Sequence, residues 1–254
     1  MTIKYAELFC QSNYSFLEGA SHAEELVLQA DFLRYKAIAI TDECSVAGIV
    51  KAHAAIKQHE LSIKLIVGSM FWLNNECQFV LLCPNRQAYA ELCRIITNAR
   101  RRSEKGDYQL SEWDIMSIKH CFIVWLPRHQ KSDLHWVKWL HQHHANRLWI
   151  GLQRHLKQQD KTYIQHCESL ANSLHIPITA CGGVVMHNAN RQPLQHTLTA
   201  IKHHCAIADL GERFLSNTER CLRATGKLSH IFKNEWLAES VHISNLCQFD
   251  LSTL

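Results

Sequence analysis

Short apolar runs rich in β-branched residues alternate along this chain with stretches whose apolar positions recur every three or four residues, the period of a helix with one buried face. The runs Tyr5–Phe9, Ala37–Thr41, Leu65–Leu73, Gln78–Cys83, Phe122–Leu126, Leu148–Leu152 and Pro177–Cys181 predict strands. Between most of them the helical period places helices at about Val46–Gln58, Arg86–Arg102, Asp133–Asn146, Lys161–Leu174 and Arg191–His203. An earlier helix opens with Ser21 and Glu24 at the spacing of a capping box, ahead of Leu26, Ala30 and Leu33 on one face.

Repeated βα units predict an α/β fold, and seven strands predict a closed or nearly closed barrel. The alternation breaks once, where Leu65–Cys83 reads as two strands joined by a turn at Asn74–Asn75–Glu76. From Gly211 onward the chain is more polar and reads as loop plus helix, with Glu235–Leu246 apolar enough to dock on the barrel. No Pro/Gly/Ser-rich linker or repeat divides it, so the expectation is a barrel over residues 1–210 with a C-terminal extension over residues 211–254.

Composition supports a folded chain: 254 residues with 47% hydrophobic content can bury a full core. A net charge of +4 permits work near nucleic acid without requiring it. The 11 cysteines lack a CxxC pair, and Cys83, Cys121 and Cys181 sit in or beside apolar runs. They read as reduced core thiols rather than a disulfide scaffold. No stretch approaches the ~20 apolar residues of a membrane span and the N-terminus lacks a signal-type apolar run, which predicts a soluble cytoplasmic protein.

In a parallel α/β barrel chemistry belongs to the loops after the strand C-termini, here Cys10–Asn13, Asp42–Cys44, Gly68–Met70, Gln153–His155 and Gly182–His187. A hydrolytic metal centre needs several converging His, Asp or Glu side chains. Asp42, Glu43 and His187 are the candidates for a weak site, with His155 nearby in the pattern. In the competing reading, Thr41–Asp42 ends a strand and caps the helix entering at Val46.

Three further groups invite functional readings beside plainer ones. Arg100, Arg101, Arg102 and Lys105 could touch DNA phosphates or form a solvated helix end. His141, His143 and His144 could bind zinc or line a polar helix face. Trp136, Trp139 and Trp149 could stack on bases, but their spacing among Val137, Leu140 and Ile150 favours the core.

Tyr5 to Lys57, with its stretches SNYSFLEGASH and AITDECSVAGIV, resembles the opening of the PHP domain of bacterial error-prone DNA polymerases related to the replicative polymerase III alpha subunit. The segments Leu92–Leu110, Met186–Lys202 and SNTERCLR (Ser216–Arg223) extend the resemblance in order over essentially the whole chain. It implies a distorted (β/α)7 barrel preceding polymerase regions that carry the metal-binding palm carboxylates, so this chain alone is not expected to synthesise DNA.

The resemblance also marks where the family's metal ligands would stand, and there the sequence departs. Phe9 and Gln11 occupy the HxH positions, Glu43 follows Asp42 where a histidine is expected, and Met70 takes the glutamate of a GxE motif. Gln153 replaces a glutamate, while Gly183 and Val185 replace the Asp and His of a DxH motif. Only Asp42 survives clearly.

The implied function is a catalytically inactive PHP scaffold of an error-prone polymerase in DNA replication, repair and translesion synthesis. It would need no cofactor, contact DNA indirectly, and have other polymerase domains or replication and repair proteins as partners. The alternative is a metal-dependent phosphoesterase or nuclease using Zn or Mn on an altered ligand set. A third reading is a truncated product with no retained role.

Overall fold

The computed structural model describes residues 4–254. Seven strands lie side by side in chain order: β1 (Ala6–Cys10), β2 (Ala37–Ile40), β3 (Lys64–Leu73), β4 (Cys77–Leu82), β5 (Phe122–Leu126), β6 (Leu148–Gln153) and β7 (Ile178–Cys181). Pairing is parallel except where β4 runs antiparallel to both β3 and β5. That reversal is the break seen in the sequence. Asn74 and Asn75 take φ of 54° and 57°, and Glu76 N–H donates to the Leu73 carbonyl, as a tight hairpin turn requires.

The last gap closes without a continuous ladder. Val184 N–H donates to the Phe9 carbonyl at 3.0 Å and Gln11 N–H to the Val184 carbonyl at 2.8 Å. Buried Glu7 staples the same seam, its carboxylate accepting from the Phe9 and Gly182 N–H groups and from the Tyr5 hydroxyl. The result is a nearly closed seven-stranded α/β barrel.

Strand alternation sorts the side chains between inside and outside. In β2, Ala37 and Ala39 face the narrow barrel interior, with Leu8, Ile66, Val80, Val124 and Trp149. Ile38 and Ile40 face the surrounding helices. Those helices are α1 (Ala23–Phe32), α2 (Ala47–Gln58), α3 (Arg86–Arg101), α4 (Glu112–Met116), α5 (Asp133–His144), α6 (Asp160–Leu174), α7 (Gln192–Lys202), α8 (Thr225–Ile231) and α9 (Asn234–Leu246). Helices α4 and α8 are too short to leave a hydrophobic period in the sequence.

Helix α9 closes the end of the barrel where the parallel strands begin. Ile243 joins the interior cluster, as does Cys247 just beyond the helix. Ala6 N–H donates to Ser240 Oγ, and Lys64 Nζ to the Ser244 carbonyl.

Two local expectations shift. Helix α1 is capped one residue later than Ser21 and Glu24 suggest: His22 N–H donates to Glu25 Oε2 at 2.8 Å. Ser21 is drawn away because its hydroxyl bonds His187. Asp42 does not cap α2 either, since its carboxylate is taken by the loop after β1.

Candidate functional site

The strand C-termini open into a cavity of about 830 Å3 whose wall includes Phe9, Gln11, Glu43, Met70, Gln153 and His155. Asp42 lies beneath this wall, 1% exposed. Both of its oxygens are in use: Ser12 N–H donates at 2.7 Å, Ser12 Oγ at 2.7 Å and Ser15 Oγ at 2.8 Å. Burial pushes its carboxyl above the usual aspartate value, against the pull of these hydrogen bonds. Gly48, in the first turn of α2, gives the carboxylate room, since a Cβ there would overlap Asp42 Oδ2.

Glu43 turns to Tyr108, whose hydroxyl donates to Oε1 at 2.9 Å. Tyr108 is thereby fixed as a neutral donor, its pKa driven up first by burial and then by the Glu43 charge. His187 is held elsewhere, with Nδ1 2.8 Å from Ser21 Oγ and its backbone N–H donating to the same oxygen. Burial lowers its pKa although Glu25 lies 3.9 Å away. Asp42, Glu43 and His187 thus each have separate protein partners. Among the described residues no three His, Cys, Asp or Glu side chains are grouped to hold a metal ion.

The other marked positions offer a metal little. Phe9, Met70 and Val185 are buried and carry no strong donor. Gln11 Nε2 donates to Ser15 Oγ. His155 Nε2 lies 2.9 Å from the Gly182 carbonyl and must donate its proton there. Burial pushes the His155 pKa down to about 3, and the Arg220 charge adds to the effect. Gly183 stands at φ +59°, and a Cβ on it would overlap Gln153 Oε1. Its carbonyl instead accepts from Arg220 Nε at 2.8 Å. A guanidinium at this wall repels divalent cations, so these residues do not fit a divalent metal centre.

Sequence reasoning overlooked the basic side chains at the mouth: Arg220, Arg128, Lys157 and Lys202 all line the cavity. They come from four separate segments with no common spacing, so no local pattern could have assembled them.

The arginine run is divided. Arg100 donates to the carbonyls of Glu43, Cys44, Gly106 and Asp107 and lies over the Tyr108 ring, so it braces the loop after β2. Arg102 pairs with Asp114, whereas Arg101 and Lys105 are exposed. His144 is buried, and Trp136 and Trp149 are buried at 4% and 7% exposure. All the cysteines are free.

Residues 7–170 match the family model described as the PHP domain. The chain belongs to the PHP family. This PHP chain is 69% identical over 252 residues to an error-prone DNA polymerase of Vibrio campbellii, a match covering 99% of the chain and 25% of the relative. It is 43% identical over 255 residues to the error-prone DNA polymerase of Saccharophagus degradans, covering 99% of the chain and 24% of that protein.

The chain therefore spans about a quarter of the length of the curated relatives it matches, and corresponds to their N-terminal part. Among solved structures, an amidohydrolase from Chromobacterium violaceum aligns over 72% of this chain and 88% of its own at 12% identity, with a TM-score of 0.49. PsfC from Pseudomonas syringae aligns over 72% and 77% at 9% identity, with a TM-score of 0.45.

Proposed function

We propose that this PHP chain serves as the N-terminal, non-hydrolytic module of an error-prone DNA polymerase, supporting the polymerase domains rather than performing metal-dependent phosphoester chemistry. Long high-identity alignment to the N-terminal part of such polymerases supports the polymerase half of this reading. The observation that carries the non-hydrolytic half is the separate engagement of Asp42, Glu43 and His187, with no donor at Phe9, Met70 or Val185.

On this reading the partners are the adjoining polymerase domains or replication and repair proteins, and DNA is met through them during translesion synthesis. No helix among the described residues is long and apolar enough to cross a membrane, and the buried free thiols suit the reducing cytoplasm.

Grafting tests the scaffold role. This chain, put in place of the 252 matching residues of the Vibrio campbellii polymerase, should preserve primer extension, whereas deleting those residues should abolish it. A folded chimera without primer extension, or a deletion with full activity, would overturn the scaffold reading.

A further inference from the structure

The antiparallel strand β4 ends beside a pair of thiols that the barrel's architecture does not use. Register pairs Leu82 with Phe122 across β4 and β5, and the next step outward sets Cys83 opposite Cys121. Both are buried members of the main core cluster, on the face that also carries Leu81 and Ile123. The two side chains therefore project to the same side of the sheet.

Backbone bonds show which kind of pair this is. Cys83 N–H donates to the Val67 carbonyl of β3 at 2.9 Å, and Cys121 N–H donates to Glu91 Oε2 at 2.9 Å. In an antiparallel ladder a residue turns its N–H and C=O toward the same neighbour, so Cys83 and Cys121 meet as a non-hydrogen-bonded pair, the closer of the two kinds. Such pairs stand about 4.5 Å apart at Cα, within the roughly 4.4–6.8 Å that a disulfide bridges. Spacing at the short end of that range strains the bond and keeps it reducible. The Cys121 pKa is driven well up, with the neighbouring Cys83 thiol the first cause and burial the second.

Between the two cysteines the chain leaves the sheet as α3 and α4. This excursion carries the braces of the loop after β2: Arg100 donates to the Glu43 and Cys44 carbonyls, and the Tyr108 hydroxyl to Glu43 Oε1. A bond from Cys83 to Cys121 would tie the excursion at its base. Neither thiol is open to solvent and the Cys121 thiolate is disfavoured, so oxidation waits on local opening and is slow.

We propose that Cys83 and Cys121 form a redox lock, a dithiol that a peroxide converts into an intramolecular disulfide fastening the base of the α3–α4 excursion. One thiolate attacks the O–O bond of hydrogen peroxide, taking one oxygen as a sulfenic acid and releasing the other as water. The second thiolate displaces the sulfenic oxygen as water and closes the S–S bond. Two thiols and one peroxide thus give one disulfide and two waters, the two electrons passing from sulfur to oxygen. The lock belongs to the barrel itself and does not rest on the polymerase reading.

Peptide mapping tests it. The folded chain is treated with hydrogen peroxide, quenched in acid, denatured, alkylated and digested for mass spectrometry. The expected product is a Cys83–Cys121 linked peptide pair, two hydrogens lighter than the reduced peptides and lost on treatment with dithiothreitol. The urea midpoint should rise on oxidation and stay unchanged by peroxide in Cys121→Ala. If Cys121→Ala fails to fold by circular dichroism, Cys83→Ala supplies the same comparison, and the mapping of the unsubstituted chain stands without either.

Linkage of Cys83 or Cys121 to a different cysteine would overturn the proposal. So would a pair that remains fully alkylated after peroxide, or a link that forms only in urea. A Cys83–Cys121 disulfide that leaves the urea midpoint where it was would overturn the locking role.

Discussion

Gly183 stands at φ +59° with Gln153 Oε1 where a Cβ would go, so both backbone and space reject a larger residue. Gly183→Ala should destabilise the chain by about 1–3 kcal/mol, read from urea unfolding midpoints at constant slope.

His144 presents a pH-sensitive case. Its ring nitrogens are buried without partners, and burial pushes its pKa down to about 4. Because the folded pKa lies below the ordinary value near ~6.5, stability is fully present above that pH and is lost as pH falls toward 4. His144→Leu should shrink the stability difference between pH ~7.5 and ~5 by about 2 kcal/mol. An unchanged pH profile would remove His144 as its cause.

At this scale the sequence revealed residue types but not their partners. Asp42 was visible as a surviving acid, yet only the fold shows Ser12 and Ser15 enclosing it. Arg220 gave no local signal because its meaning depends on Gly183, 37 positions away.

Among the elements, strands were legible because their apolar runs are uninterrupted, and the β3–β4 hairpin because Asn74–Asn75 tolerates positive φ. The cap of α1 was misplaced by one residue because Ser21 has a tertiary partner that sequence spacing cannot show. The docking of Glu235–Leu246 was legible from its apolar content, but its place across the barrel end was not.

That placement has an energetic consequence. Ile243 is fully buried in the interior cluster, whose other members include the small Ala6, Ala37 and Ala39. Ile243→Ala should cost about 2–5 kcal/mol in chemical denaturation, well beyond the ~0.5 kcal/mol typical of an exposed site. A loss within that surface range would mean that α9 merely rests on the barrel.

For the whole molecule, one end of the barrel is sealed by α9 and the other is a basic, partly apolar mouth braced by Arg100 and residues 217–221. Phe9, Met70 and Val185 are buried at that open end and contribute apolar surface to the barrel. Family membership and the seven strands were readable along the chain, whereas the electrostatics of the mouth come from residues far apart in sequence.

The central claim, a PHP barrel without metal chemistry, is tested most directly by dialysing the purified chain against Zn2+ and Mn2+, then measuring retained metal and phosphodiester turnover on the same sample. The account predicts neither stoichiometric metal nor turnover. One or more ions retained per chain, with hydrolysis that disappears in Asp42→Ala, would contradict it.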